Sequence, residues 1–268
     1  MTFTEKILAN EEISPGYFRM KVTAPEAFLS AHPGQFVMVR MTQGVAPLLR
    51  RPLGIMDMGK DPDGAPFFEL LYRVVGNATS LFASLASDGK IDVLGPLGTG
   101  FQMTNTQEHW LIGGGIGLPP LYFLARRLRE AGKNVHLFAG GRTKNDVVRI
   151  PDFEAMGVSC HIATESGEWG IKGRVTEPLL RYLEDKKSDL GTIYACGPDA
   201  MLRAIAALAQ TKGVAAQVSL ENYMACGVGA CLGCVAPGKD HSAATPDYRC
   251  VCKEGPVFDV NELLWERP

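Results

Sequence analysis

Apolar and polar positions alternate in short runs along the first hundred residues. Tyr17–Thr23, Gln35–Met41, Phe67–Val75 and Lys90–Leu94 read as strands, separated by Pro33-Gly34, Asp63-Gly64, Asp88-Gly89 and Gly95-Pro96, pairs that favour turns. One short helix is predicted over Thr79–Ala86. Several short strands with no long helix between them predict a small antiparallel barrel. From about residue 108 the rhythm changes. Short apolar runs at Trp110–Ile112, Val135–Phe138, Val158–Ala163, Thr192–Ala195 and Gln217–Leu220 alternate with amphipathic segments. Pro119–Ala131 places Leu121, Ala125 and Leu128 on one helical face, with Arg126, Arg127, Arg129 and Glu130 mostly opposite and Gly132 as a stop. Asp199–Lys212 repeats the pattern and ends at Gly213. Strands alternating with helices predict βαβ units and a parallel sheet.

The expected fold is therefore α+β and multi-domain. An N-terminal antiparallel β-barrel covers 1–101, an α/β parallel-sheet domain 102–221, and a small cysteine-rich subdomain 222–268. The 268 residues carry 27 Lys+Arg against 29 Asp+Glu, a net charge of −2 with no long run of one sign. That balance excludes a nucleic-acid footprint and a polybasic membrane patch. The N-terminal MTFTEKILANEE lacks the basic and apolar regions of a signal peptide. The longest uncharged apolar stretch, Leu111–Ala125, is interrupted by four glycines and two prolines, and a membrane helix needs ~20 apolar residues. A soluble, cytoplasmic protein is expected.

Five of the seven cysteines, Cys226, Cys231, Cys234, Cys250 and Cys252, fall near the C-terminus, a distribution that reads as metal ligation. The spacing Cys226-x4-Cys231-x2-Cys234 with a later fourth cysteine fits the plant-type pattern for a [2Fe–2S] cluster. Gly227 and Gly229 would let backbone N–H groups approach the sulfides. A structural four-cysteine zinc site is the alternative. Spacing does not choose between Cys250 and Cys252 as the fourth ligand. Cys160 reads as an inert core thiol.

Ile112-Gly113-Gly114-Gly115-Ile116-Gly117-Leu118-Pro119-Pro120 follows a predicted strand and opens a predicted helix, a setting in which glycines admit a diphosphate to the backbone. No acidic residue stands at the usual distance downstream, so this is a variant nucleotide fold. Cys196-Gly197-Pro198 forms a second turn at the same carboxyl edge of the sheet, unless it is an ordinary strand-to-helix turn. The five histidines form no acid/base pair, and no catalytic residue for oxidising an organic substrate is expected.

Three features now converge. These are Arg51-Pro52-Leu53-Gly54-Ile55 in the β domain, the glycine loop with its Cys-Gly-Pro turn, and the cysteine motif. Together they resemble the ferredoxin reductase-like superfamily. Within it, the segments from Glu221 to Cys231 and from Val251 to Phe258 resemble the electron-transfer subunits of B-type, NAD-dependent dihydroorotate dehydrogenases. The resemblance covers essentially the whole chain. It implies FAD contacts at Arg51, Pro52, Leu53 and Gly54, at Leu71, Tyr72 and Arg73, and at Ala78 and Thr79. Tyr72 would offer an aromatic face with a polar tip. The resemblance also implies a nicotinamide nucleotide at Gly113, Gly114, Gly115, Gly117, Cys196, Gly197 and Pro198. For the cluster it implies the ligands Cys226, Cys231, Cys234 and Cys252, choosing Cys252 over Cys250.

Two residues depart from the family. Gly54 stands where Ser or Thr is usual, and Ala78 where Gly is frequent. The implied partner is an FMN-containing catalytic subunit in a heterotetramer of two plus two. Electrons would pass from FMN through the cluster and FAD to NAD+ in pyrimidine biosynthesis. Alternatives are a diaphorase-type subunit of another redox complex and a zinc-stabilised nucleotide-binding regulator. Residues alone do not choose NAD over NADP, because Arg142 and Lys144 could hold a 2′-phosphate.

Overall fold

The computed structural model describes residues 2–42, 44, 46–185 and 191–265. Its first unit is a closed antiparallel barrel of six strands: β1 (Thr2–Ser14), β2 (Tyr17–Thr23), β3 (Phe36–Met41), β4 (Arg51–Lys60), β5 (Pro66–Arg73) and β6 (Lys90–Leu97). They follow the order β1-β2-β5-β4-β3-β6. The short helix α1 (Asn77–Ala83) starts and ends slightly earlier than the sequence pattern predicts. Two strands escape the pattern altogether. β1 buries only Ile7 fully, so its apolar alternation is faint, and β4 opens on Arg-Pro-Leu-Gly, a composition that argues against a strand. β1 nonetheless closes the barrel, pairing with β6 over Thr2–Lys6 and with β2 over Ile7–Ser14. Gly95-Pro96, expected to be a turn, lies within β6 instead.

The second unit is a seven-stranded sheet. Along the chain run β7 (Glu108–Gly114), α2 (Leu118–Glu130), β8 (Asn134–Gly141), α3 (Ile150–Ala155), β9 (Ser159–Thr164), β10 (Ile171–Lys172) and α4 (Thr176–Asp185). They are followed by β11 (Thr192–Cys196), α5 (Asp199–Lys212) and β12 (Ala215–Ser219). The cysteine tail adds β13 (Val235–Pro237), β14 (Tyr248–Cys250) and β15 (Val257–Asp259). β13 and β14 form a separate pair, while β15 joins the large sheet, antiparallel to β12, in the order β10-β9-β8-β7-β11-β12-β15. The remaining ladders of this sheet are parallel. The tail thus returns to the α/β core through Phe258 and Val260.

The two units share a core. Leu121, Leu124, Ala125 and Leu128 of α2 pack in one cluster with Leu111 and Leu137 of the sheet and with Tyr17, Met56 and Leu71 of the barrel. A half-buried ion pair reinforces that contact, as Arg126 on α2 donates to Asp57 on β4 through Nε at 2.9 Å and Nη2 at 2.6 Å. Among the described residues no helix is long and apolar enough to cross a membrane.

Candidate redox site

The strand β4 begins with the Arg51–Gly54 segment, and its neighbours decide which arginine is free to bind an anion. Arg50 donates to both carboxylate oxygens of Asp92, at 2.7 and 2.9 Å, and Arg40 reaches the same carboxylate at 2.6 Å. Burial would raise the Asp92 carboxyl, but the two guanidiniums outweigh it and hold the group below the usual carboxylate range. Arg50 is therefore structural. Arg51, half-buried, donates only to the carbonyls of Leu49 and Arg50, leaving its charge without a carboxylate among the described residues. That leaves it available to a diphosphate.

Gly54 has a steric reason. A Cβ at this position would come within 2.9 Å of Pro120 Cγ in the first turn of α2. The barrel strand therefore abuts the helix that follows the glycine loop, and a Ser or Thr here would have to displace the proline ring.

The other FAD candidates separate by strand alternation and burial. Arg73 is half-buried at the end of β5, and Leu71 lies in the shared core. Tyr72 points the opposite way, into the barrel, where it is 1% exposed, stacks on Phe18 and donates to Asn10 Oδ1 at 3.0 Å. The ring expected as an aromatic face towards the flavin is thus packed in the barrel core. Ala78 and Thr79 are buried in the first turn of α1. The Thr79 hydroxyl accepts from the N–H groups of Val75 and Gly76 and donates to the Gly76 carbonyl, so it shapes the loop before the helix.

The glycine loop and the Cys-Gly-Pro turn meet at the carboxyl edge of the sheet, where Gly113 on β7 is in register with Cys196 on β11. Gly117 lies so close to the Cys196 carbonyl that any Cβ would overlap it, and a Cβ on Gly114 would meet Pro198 Cδ at 2.8 Å. One side of the loop is thus sealed by the turn. Gly115, at φ +54°, faces open space, its nearest neighbour being Tyr17 Oη at 4.0 Å from the position of a Cβ. This open backbone is where a diphosphate could approach. Burial pushes the Cys196 thiol up to about 12, which favours its protonated form.

Sequence reasoning missed Asp146. Its carboxylate accepts from Tyr17 Oη at 2.9 Å and the Thr143 N–H at 3.1 Å, with Arg142 Nε at 3.8 Å and Arg73 Nη1 at 4.0 Å. It joins an arginine of the barrel to one of the nucleotide domain. Burial opposes its charge, yet these donors hold the carboxyl below its usual range. The available signal was Thr143-x-x-Asp146, a capping pattern. Arg142 and Lys144 are exposed.

In the tail, N–H···S contacts tie together the four cysteines expected as ligands. Cys226 Sγ accepts from the backbone of Val228 at 3.5 Å and of Cys231 at 3.4 Å; Cys252 Sγ accepts from Gly229 at 3.1 Å; Cys234 Sγ accepts from Cys252 at 3.3 Å. The Val228 N–H, against some desolvation and helped by the Cys231 and Ala230 N–H groups, lowers the Cys226 thiol to about 6. Burial first, and neighbouring sulfurs second, push Cys252 the other way. Such a buried thiol becomes a thiolate when it coordinates a cation. The set grades from exposed Cys231 through half-buried Cys226 to buried Cys234 and Cys252. Backbone N–H groups aimed at sulfur suit an iron–sulfur cluster, and the sulfurs gathered within 4.8 Å of one another are those of Cys234, Cys250 and Cys252, with Cys226 and Cys231 on the neighbouring loop.

Comparison with known proteins decides the family. Residues 221–264 match the family model of the iron-sulfur cluster binding domain of dihydroorotate dehydrogenase B, and residues 111–207 match the oxidoreductase NAD-binding domain. The dihydroorotate dehydrogenase B (NAD(+)) electron transfer subunit of Bacillus cereus (strain B4264) is 36% identical over 261 residues, 96% of this chain and 96% of that one. This chain belongs to that family. The Bacillus anthracis (strain CDC 684 / NRRL 3495) subunit of the same name is also 36% identical, with 96% of each chain covered. A solved NADH-dependent reduced ferredoxin-NADP oxidoreductase, described for flavin-based electron bifurcation, superposes with a TM-score of 0.83 at 29% identity. That match covers 97% of this chain and 90% of that one.

Within this family of oxidoreductase subunits, the zinc alternative for the tail gives way to an iron–sulfur segment. The sequence-based expectation of a ferredoxin reductase-like fold with a nucleotide domain holds. Two of the histidines are packed: His109 is fully buried and bonded to the Thr106 carbonyl at 2.9 Å, and half-buried His136 meets Tyr182 Oη at 2.9 Å.

Proposed function

We propose that this chain carries electrons between a [2Fe–2S] cluster held by Cys226, Cys231, Cys234 and Cys252 and an NAD+ bound at the Gly113–Gly117 loop and the Cys196–Pro198 turn. FAD lies between them, at Arg51–Gly54 and Arg73. In this reading residues 1–101 serve FAD, 102–221 NAD and 222–268 the cluster. Bound FAD exchanges a hydride with nicotinamide and single electrons with an iron–sulfur centre, which neither of those can do with the other.

One observation supports the reading: strands of the barrel touch both the cysteine loop and the helix that follows the glycine loop. Gly227 of the cysteine loop packs on Met38 of β3 so closely that no Cβ fits, and Met38 is paired with Pro52 of β4. Two residues along β4, Gly54 packs on Pro120, just beyond the glycine loop. The contacts therefore run from cysteine loop to flavin strand to nucleotide loop.

The donor would be an FMN-containing subunit that oxidises dihydroorotate, in a cytoplasmic complex of two copies of each chain. Around exposed Cys231, the side chains of Tyr223, Val228 and Leu232 are 95%, 49% and 63% exposed, an apolar rim suited to such a partner. In the test, the chain is mixed with a dihydroorotate-oxidising FMN subunit and NADH formation is followed. The complex is expected to reduce NAD+ with dihydroorotate while this chain alone does not; oxidation of dihydroorotate by this chain alone would overturn the division of labour. A second reading, a diaphorase-type subunit of another redox complex, is favoured by the similarity to the ferredoxin-NADP oxidoreductase. It predicts no coupling to the dihydroorotate-oxidising partner and turnover with ferredoxin.

A further inference from the structure

The resemblance assigns four cysteines to the cluster and leaves Cys250 without a task. The structure gives it a place. Cys234, Cys250 and Cys252, all buried, bring their sulfurs within 4.8 Å of one another. Cys250 Sγ lies 4.0 Å from Cys234 Sγ and 3.8 Å from Cys252 Sγ. Two thiolates on one tetrahedral metal, with bonds of about 2.3 Å, stand about 3.8 Å apart. Cys250 is thus at ligand separation from both members of the inner pair.

Its backbone is firmly held. Cys250 ends β14 in register with Val235 of β13, the residue that follows Cys234, and its N–H donates to Glu254 Oε2 at 2.5 Å. The Val251 N–H donates to the Cys234 carbonyl at 2.8 Å. Cys252 differs from Cys250 in one respect that explains why it ranks first. Its sulfur accepts the N–H of Gly229, on the loop that carries Cys226 and Cys231. Cys250 approaches the same two sulfurs from the β13–β14 ribbon.

We infer that Cys250 is a reserve ligand for the cluster iron bound by Cys234 and Cys252, able to take the position of either when that thiolate is lost. The exchange conserves charge and electrons. The Cys250 thiol gives up its proton, which the released thiolate takes; one Fe–S bond forms as another breaks, and the iron keeps its oxidation state. The inference rests on the cluster reading above.

The test uses the full chain, purified without oxygen, as wild type, Cys250→Ala, Cys252→Ala, Cys234→Ala and the Cys250→Ala/Cys252→Ala double variant. Iron, sulfide and FAD per chain are measured, and the dithionite-reduced protein is examined by electron paramagnetic resonance. Cys250→Ala is expected to match wild type in iron and in signal. Cys252→Ala is expected to keep its iron, with a shifted signal, and the double variant to lose both while retaining FAD, which reports folding. Cys234→Ala is expected, like Cys252→Ala, to keep its iron with a shifted signal, and loss of the cluster from either of these single variants would overturn the reserve role while leaving the cluster reading intact. A wild-type chain without iron would overturn both.

Discussion

The nucleotide loop and the cysteine loop are both glycine-rich turns, but they are held by different means. The nucleotide loop is preformed: it runs directly from β7 into α2, and Gly114 and Gly117 are pressed against the Cys196–Pro198 turn that follows β11. The cysteine loop is held by Gly227 on Met38, by Gly229 close to Lys253, and by N–H···S contacts to Cys226 and Cys252. Regular structure nearby amounts to a pair of three-residue strands. A preformed loop exists before its ligand arrives, whereas a loop tied through sulfur gains its order from the metal.

The largest effect that would break this comparison concerns the metal. Cys226→Ser is expected to abolish iron binding and raise the tail's backbone hydrogen exchange. FAD content and NADH affinity should stay near wild type, because β4 and the nucleotide loop are held by strand ladders in which Cys226 takes no part. Equal losses at all three sites would show that the tail is not separately held. Next, Gly117→Ala should weaken NADH binding at least tenfold, since its methyl overlaps the Cys196 carbonyl, while the cluster signal stays unchanged; a binding titration with the reduced-cluster spectrum as control checks it.

Arg51→Gln removes a charge-assisted contact worth roughly 1.5–3 kcal/mol, so FAD should be retained about ten- to a hundredfold more weakly, as read by dialysis against apoprotein. Gly54→Ser should cost about 1–3 kcal/mol through the clash with Pro120, seen in thermal unfolding. The smallest effect is on pH dependence. Asp92 and Asp146 have folded-state values below their unfolded ones, so their contribution is complete above about pH 4 and is lost as pH falls through the lowered values. Asp92→Asn should flatten the fall of the unfolding midpoint on acidification.

Much of the α/β unit was legible because period and punctuation agree there, and α5 occupies the predicted Asp199–Lys212. The barrel was legible as a class, yet β1 and β4 were hidden, one by polar composition and the other by proline and glycine. Helices α3 and α4 were missed because one has six residues and the other carries Pro178 in its first turn. At the site, cysteine spacing and glycine order could be read from local sequence. The contacts that join the sites could not. Gly54 against Pro120, Gly227 against Met38, and Asp146 between Arg73 and Arg142 all link residues distant in sequence. Tyr72 is a related case, since alternation along β5 turns its ring into the barrel core while Leu71 faces the core shared with α2.

The central claim is that the three sites form one electron path within this chain. It is tested most directly by titrating the anaerobically purified protein with NADH alone while recording visible absorption and electron paramagnetic resonance. The path predicts that the flavin bands bleach and the signal of a reduced [2Fe–2S] cluster appears in the same titration, without the partner. A flavin reduced by NADH beside a cluster that stays oxidised, yet is reducible by dithionite to no lower potential than the flavin, would contradict it.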